Sequence, residues 1–254
     1  MTEQPKAIAF DLDGTLAISK QPMTHEMGAL LAQLLAIMPV SLAAAGSMTQ
    51  IQTQFLPALP ETANLKNLYL FPTNSSQCFL FNENSWEATY NYALTDTERI
   101  NIRTAVEEGL DEVGLSDPPA TTWGERLEDR GSQFSFSPLG QYAPVLEKER
   151  WREEHEPLRQ KLRSILAEKL PGFSVATGGM TTIDITRKGI TKAYGVERFS
   201  ELTQIPISEM LYVGDALEPG GNDAVVKETG IPTHEVKSPD DTAALIAIVL
   251  KNVA

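Results

Sequence analysis

The chain has 254 residues, 42% of them hydrophobic, with a formal net charge of -13 and one cysteine, Cys78. That is enough apolar material for a buried core, which excludes global disorder. The acidity excludes a nucleic-acid-binding face, and a single cysteine excludes an intramolecular disulfide.

The first six residues carry no signal-peptide pattern. The apolar stretch 27–46 is broken by Gln33, Pro39 and Ser41, so it predicts no membrane span, and a cytoplasmic protein is expected. In chain order, Ala7–Phe10 reads as a buried strand that ends in Asp11-Leu12-Asp13-Gly14-Thr15. A helix over 24–37 and a strand over 40–44 follow, which makes a βαβ unit and predicts a parallel sheet. Small residues lead from that strand to Ser47, placed to cap a helix over 50–56. A strand over 68–71 and a short hairpin within 74–84 complete this part, and Cys78 falls in an apolar run that reads as core.

From 86 to 189 the pattern changes. Thr95 caps a helix over 96–112, and 121–129 and 132–137 alternate as antiparallel strands do. A charged helix covers 146–170, with Pro157 expected to break or restart it. Strands over 173–176 and 182–186 close the segment. Helix 190–199, strand 210–213, short helix 224–229, strand 234–236 and helix 240–249 then resume the α/β alternation. The prediction is an α/β fold: a Rossmann-like parallel sheet core from 1–85 and 190–254, with an α+β cap inserted over 86–189.

In such sheets ligands bind beyond the carboxyl ends of the strands, where Asp11, Ser47 and Asp215 all fall. Asp11 and Asp13 share one side of an extended chain, because side chains alternate with period two. Carboxylates this close share a proton or recruit a cation, and an all-oxygen site suits Mg²⁺. Tyr212-Val213-Gly214-Asp215 delivers another carboxylate from a strand end, and the loop after it returns Asn222 and Asp223. Lys192 opens a helix that leads into the same sheet. A pure binding module has no use for both Asp11 and Asp13, so this set favours catalysis. His25, His155 and His234 lack metal-ligand spacing, and Trp86, Trp123 and Trp151 read as packing.

Asp11-Leu-Asp-Gly-Thr, Ser47, Lys192 and Gly214-Asp215 with Asn222-Asp223 resemble, in order and spacing, the four motifs of the haloacid dehalogenase-like phosphotransferases. The place of the insertion resembles the type IIB cap subclass. Arg130 ahead of Ser137-Pro138-Leu139-Gly140, and Gly178-Gly179 ahead of Thr182-Ile183-Asp184, are similar to eukaryotic-type phosphomannomutases. The resemblance implies that Asp11 attacks phosphorus, Asp13 acts as acid and base, and Ser47 and Lys192 hold the phosphoryl oxygens. It implies Mg²⁺ held by Asp11, Asp13 through its backbone carbonyl, Asp215, Asn222 and Asp223. It implies a cap site of Arg130, Thr182 and Asp184 for a sugar phosphate, and a homodimer through the cap. One departure bears on the reaction. Gln141 stands where the mutases carry an arginine, and a later arginine is replaced by Lys148 or displaced to Arg150. Fewer bidentate donors weaken a second phosphate site. The expectation is therefore a Mg²⁺-dependent phosphohydrolase, with a phosphomannomutase-like isomerase as the alternative.

Overall fold

A computed structural model describes residues 4–253. The chain divides into a larger unit, residues 1–91 and 191–254, and a smaller one, residues 92–190. Within the larger unit the strands are β1 (Ala7–Phe10), β2 (Val40–Ala43), β3 (Leu68–Phe71), β4 (Gln77–Asn82) and β5 (Ser85–Asn91), joined later by β10 (Met210–Gly214) and β11 (Thr233–Glu235). They form one sheet in the order β11-β10-β1-β2-β3-β4-β5. The first five in that order run parallel, and β4 and β5 add an antiparallel hairpin at one edge.

The alternation along β1 assigns its two faces. Ile8 and Phe10 pack with Leu31, Leu34 and Leu35 of the helix His25–Ile37 and with Ile246 of the helix Pro239–Val253. Ala7 and Ala9 pack with Val196 and Phe199 of the helix Lys192–Thr203 on the other side. Alanines on that face leave room for the Tyr212 ring, which is fully buried there. Covered on both faces, the central strands hold their C-terminal ends rigidly at one edge. Cys78 is buried in this core, and burial pushes its thiol up to about 12.

The boundary expected at 86 moves to 92. Residues 85–91 pair along the length of β4 and so extend the core sheet. The turn that joins β4 to β5 is Glu83-Asn84, whose two residues take left-handed φ values of 43° and 69°.

The smaller unit has strands β6 (Leu127–Asp129), β7 (Gln133–Phe136), β8 (Phe173–Gly178) and β9 (Thr182–Arg187), all antiparallel, in the order β6-β7-β9-β8. Phe134, Phe136, Ile183 and Ile185 face the helices Asp96–Val113 and Val145–Lys169. Thr95 and Glu98 form a reciprocal capping box at the first of these, a device worth about 1 kcal/mol. The second runs unbroken through Pro157, against expectation. Pro157 and Glu153, whose carbonyl loses its donor, are both exposed, so water can satisfy that carbonyl. Of the strand expected over 121–129, only 127–129 pairs.

Candidate active site

Asp11 follows β1 directly, and Asp215 follows β10, the parallel neighbour of β1. The loop after β10 turns back through Gly220 and Gly221, and the Asp223 amide donates to the Ala216 carbonyl at 3.1 Å. This return brings Asp223 beside the other two. Oxygen atoms of Asp11, Asp215 and Asp223 all lie within 4.8 Å of one another. Two glycines make the approach possible. A side chain on Gly14 would sit 2.3 Å from an Asp215 carboxylate oxygen, and one on Gly214 would sit 2.4 Å from Asp223.

Lys192, at the start of its helix, reaches into this group. Its Nζ donates to Asp11 Oδ1 and to Asp223 Oδ1, each at 2.6 Å, and its side chain is 1% exposed. Tyr212 also donates to Asp223 Oδ1, at 2.6 Å. Burial pushes Asp11 up to about 8, with Asp223 and Asp215 adding to the rise against the pull of Lys192. Burial and then Asp223 raise Asp215 to about 6. Burial would lower Lys192, but Asp11 and Asp223 outweigh it and hold the ammonium charged. Three carboxylates against one ammonium leave a formal excess of two negative charges, which a divalent cation would balance. The donors are all hard oxygens, so the set fits Mg²⁺. Asn222 precedes Asp223 in the same loop and is half-buried.

The Asp13 carboxylate is not in that group. Its Oδ1 accepts from the Lys20 backbone N–H at 2.8 Å and from Gln54 Nε2 at 2.9 Å. Its Oδ2 accepts from Gln50 Nε2 at 3.3 Å and lies 3.3 Å from Lys20 Nζ. Burial alone would raise this carboxyl, yet Lys20 and Gln54 hold it below the usual carboxylate range. Ser47 caps the helix Met48–Gln54 by accepting from the Gln50 N–H at 3.3 Å. The segment bearing Ser47 is braced by the turn after β3. There the Thr73 and Asn74 amides donate to Gly46 and Ala44 carbonyls at 2.8 and 3.0 Å.

In the smaller unit, the face of the sheet opposite its helices is polar and buried. Arg130 Nε donates to Glu128 Oε2 at 2.7 Å, and Nη2 donates to Gln141 Oε1 at 3.1 Å. Gln141 Nε2 donates to the Ser135 carbonyl at 2.9 Å, and Ser135 Oγ donates to Asp184 Oδ1 at 2.7 Å. The Thr182 hydroxyl donates to the Gly178 carbonyl. A side chain on Gly178 would lie 2.5 Å from Asp184 Oδ2, so glycine is what admits that carboxylate. Arg130 and Asp184 therefore share one network, with Gln141 and Ser135 as links, while the Thr182 hydroxyl turns to the Gly178 carbonyl. Arg159 is also buried and donates to the Gly179 carbonyl at 3.3 Å, whereas Arg150 is mostly exposed.

A family model described as eukaryotic phosphomannomutase matches residues 66–252. The chain belongs to that family. The phosphomannomutase of Spinacia oleracea is 24% identical over 248 residues, covering 95% of each chain. That of Saccharomyces cerevisiae is 25% identical over 252 residues, covering 96% of this chain and 94% of its own. Solved structures share the fold. An IMP-bound, N-terminally truncated Plasmodium falciparum IMP-nucleotidase superposes with a TM-score of 0.73 at 16% identity, over 98% of this chain and 69% of that one. The C-terminal domain of C. albicans trehalose-6-phosphate phosphatase superposes with a TM-score of 0.65 at 13% identity, over 99% and 94%. The protein is thus an enzyme of the haloacid dehalogenase superfamily, in its eukaryotic phosphomannomutase family. Family membership favours the mutase alternative over the hydrolase placed first by the sequence reading. Among the described residues, no helix is long and apolar enough to cross a membrane.

Lys20, Gln50, Gln54 and Tyr212 escaped the sequence reading. The i,i+4 spacing of the two glutamines behind Ser47 was the available signal.

Proposed function

We propose that the protein transfers the phosphoryl group of a hexose phosphate through Asp11, in the manner of a phosphomannomutase. The observation that carries this is the Asp11–Lys192–Asp223 chain with Asp215 beside it. In it a buried carboxylate is held at the carboxyl edge of the sheet by a cation that stays charged. Asp11 forms the bond to phosphorus, which splits one difficult displacement into two easier ones. Asp13 gives a proton to the leaving oxygen and takes one from the incoming hydroxyl. Lys192 and the Ser47 hydroxyl hold phosphoryl oxygens whose charge builds in the transition state. Mg²⁺, held by Asp11, Asp215 and Asp223 with the Asp13 carbonyl and Asn222, would neutralise the anionic ester. Arg130, Thr182 and Asp184 recognise the sugar end. The same reading includes a homodimer through the inserted unit. It also includes a cytoplasmic location, in keeping with a free, buried Cys78.

Hydrolysis is the second reading, and Arg130 favours it. Its guanidinium is engaged by Glu128 and by Gln141, so the charge a second phosphate would use is already paired. The two readings separate in one assay, with mannose 1-phosphate and mannose 6-phosphate supplied with Mg²⁺ and a hexose bisphosphate activator. Interconversion with little free phosphate supports the mutase. Phosphate release without interconversion supports the hydrolase. Neither, with intact protein, overturns the hexose phosphate assignment.

A further inference from the structure

The four contacts to Asp13 differ in a way that assigns its two oxygens. A carboxylate offers about four lone-pair sites; three accept hydrogen bonds here, two on Oδ1 and one on Oδ2, and the Lys20 ammonium stands 3.3 Å from Oδ2. Asp13 is therefore open to a substrate chiefly on the Oδ2 side. On Oδ1 the donors are a backbone N–H at 2.8 Å and Gln54 Nε2 at 2.9 Å, both within ordinary hydrogen-bond length. On Oδ2 both contacts are 3.3 Å, and one comes from the flexible end of Lys20. The long pair gives way first.

The Gln54 amide is oriented as well as close. Gln50 Nε2 donates to Gln54 Oε1 at 2.6 Å, so the Gln54 oxygen faces Gln50 and its nitrogen must face Asp13. Gln50 is fixed in turn by Lys20 Nζ, which donates to Gln50 Oε1 at 2.8 Å. Both glutamines lie on the helix that Ser47 caps, so one short helix carries Ser47 and the anchor of Asp13.

We propose that Gln54 is a positioning residue. It anchors Asp13 through Oδ1, leaving Oδ2 as the oxygen that exchanges its weak donors for the substrate, with Gln50 and Lys20 fixing the Gln54 amide. The inference rests on the reading of Asp11 as nucleophile and Asp13 as acid and base. Once Lys20 and Gln50 have let go of Oδ2 it can take up a proton from water, and as the Asp11–phosphorus bond forms and the ester phosphorus–oxygen bond breaks, that proton passes to the leaving oxygen. In the second step the same oxygen takes a proton from the acceptor hydroxyl. Anchoring Oδ1 fixes where Oδ2 stands in both steps.

The test exploits the leaving group. A nitrophenolate departs without a proton, whereas the alkoxide of mannose 6-phosphate needs one. Kinetics on 4-nitrophenyl phosphate and mannose 6-phosphate are compared for the wild type and for Gln54→Leu, Gln54→Glu, Asp13→Asn and Asp11→Asn. Gln54→Leu is expected to lower kcat/KM on mannose 6-phosphate by about 10-fold or more, part of the 10²–10⁴ that acid–base catalysis supplies. It should change kcat/KM on 4-nitrophenyl phosphate by less than about 3-fold, since kcat/KM reads the first step alone and a nitrophenolate does not draw on the acid there. Gln54→Glu, equal in size but set against Asp13, should show the same split and decides the matter if the leucine variant does not fold. Equal losses on both esters, or none, would overturn the proposal, provided Asp13→Asn shows the split. If Asp13→Asn shows no split, or Asp11→Asn keeps its activity, it is the underlying reading that falls.

Discussion

The two units bury charge in opposite ways. Among the described residues of the larger unit, Asp11 and Asp223 have Lys192 as their one ion-pair partner and Asp215 lies beside them with none, which leaves negative charge in excess. In the smaller unit the buried or half-buried charges are largely matched: Arg130 with Glu128, Arg159 with Glu156, Arg187 with Glu98. An unmatched buried charge costs several kcal/mol unless a counter-ion arrives, so the larger unit is built to take something up. A matched network presents directed hydrogen bonds at little net charge, which suits recognition of hydroxyl groups. On the proposed reading, this difference in charge balance parallels a division between chemistry in the larger unit and recognition in the smaller one.

The sharpest way to break this division is at the nucleophile. Asp11→Asn is expected to lower turnover of every phosphate ester by at least about 10³-fold, with no dependence on the leaving group. Steady-state assays beside a melting curve check it, and substantial residual activity in folded protein would remove Asp11 from its role. Arg130→Ala probes the other side. Losing a charged hydrogen bond of about 1.5–3 kcal/mol raises KM for a hexose phosphate by roughly 10- to 100-fold. A small aryl phosphate should be nearly unaffected, and equal changes in both would contradict a sugar-reading role for the smaller unit. The charge excess itself is tested by Mg²⁺. The cation should raise the melting temperature of the wild type, because it binds the folded state. Asp215→Asn should lose most of that rise, while Glu128→Gln should keep it.

The legibility of these two regions in the sequence differed for a physical reason. Asp11, Asp215 and Lys192 sit at the ends of elements whose periodicity is plain, so the sheet alone places them. The α/β core with an inserted α+β segment follows from the same patterning. What patterning missed depends on tertiary approach. Asp13 sits next to the cluster in sequence, yet its side chain is taken by Lys20, Gln50 and Gln54. Gln141 read as a lost arginine, but it bridges Arg130 to Ser135, a role visible only once β6 and β7 are paired. Pro157 read as a break because the sequence does not show that the orphaned carbonyl faces water.

The smallest expected effect lies in the matched charges, and its sign follows from Glu98. That carboxyl is held down to about 2 from an ordinary value near 4.5, first by hydrogen bonds from Arg187 and then by the Thr95 backbone and hydroxyl. A depressed carboxyl stabilises the fold above its unfolded value and loses that contribution as the pH falls through its folded value. The smaller unit should therefore weaken progressively between about pH 4.5 and 2. Glu98→Gln should melt a few degrees lower than the wild type at neutral pH, because the ionic tie to Arg187 is lost while a glutamine can still close the capping box. The difference should close as the wild type is acidified through that window. A gap that persists at low pH would mean that Glu98 acts through packing, and that charge matching contributes less to this unit than its geometry implies. The pair is partly exposed, so added salt should narrow the neutral-pH gap as well.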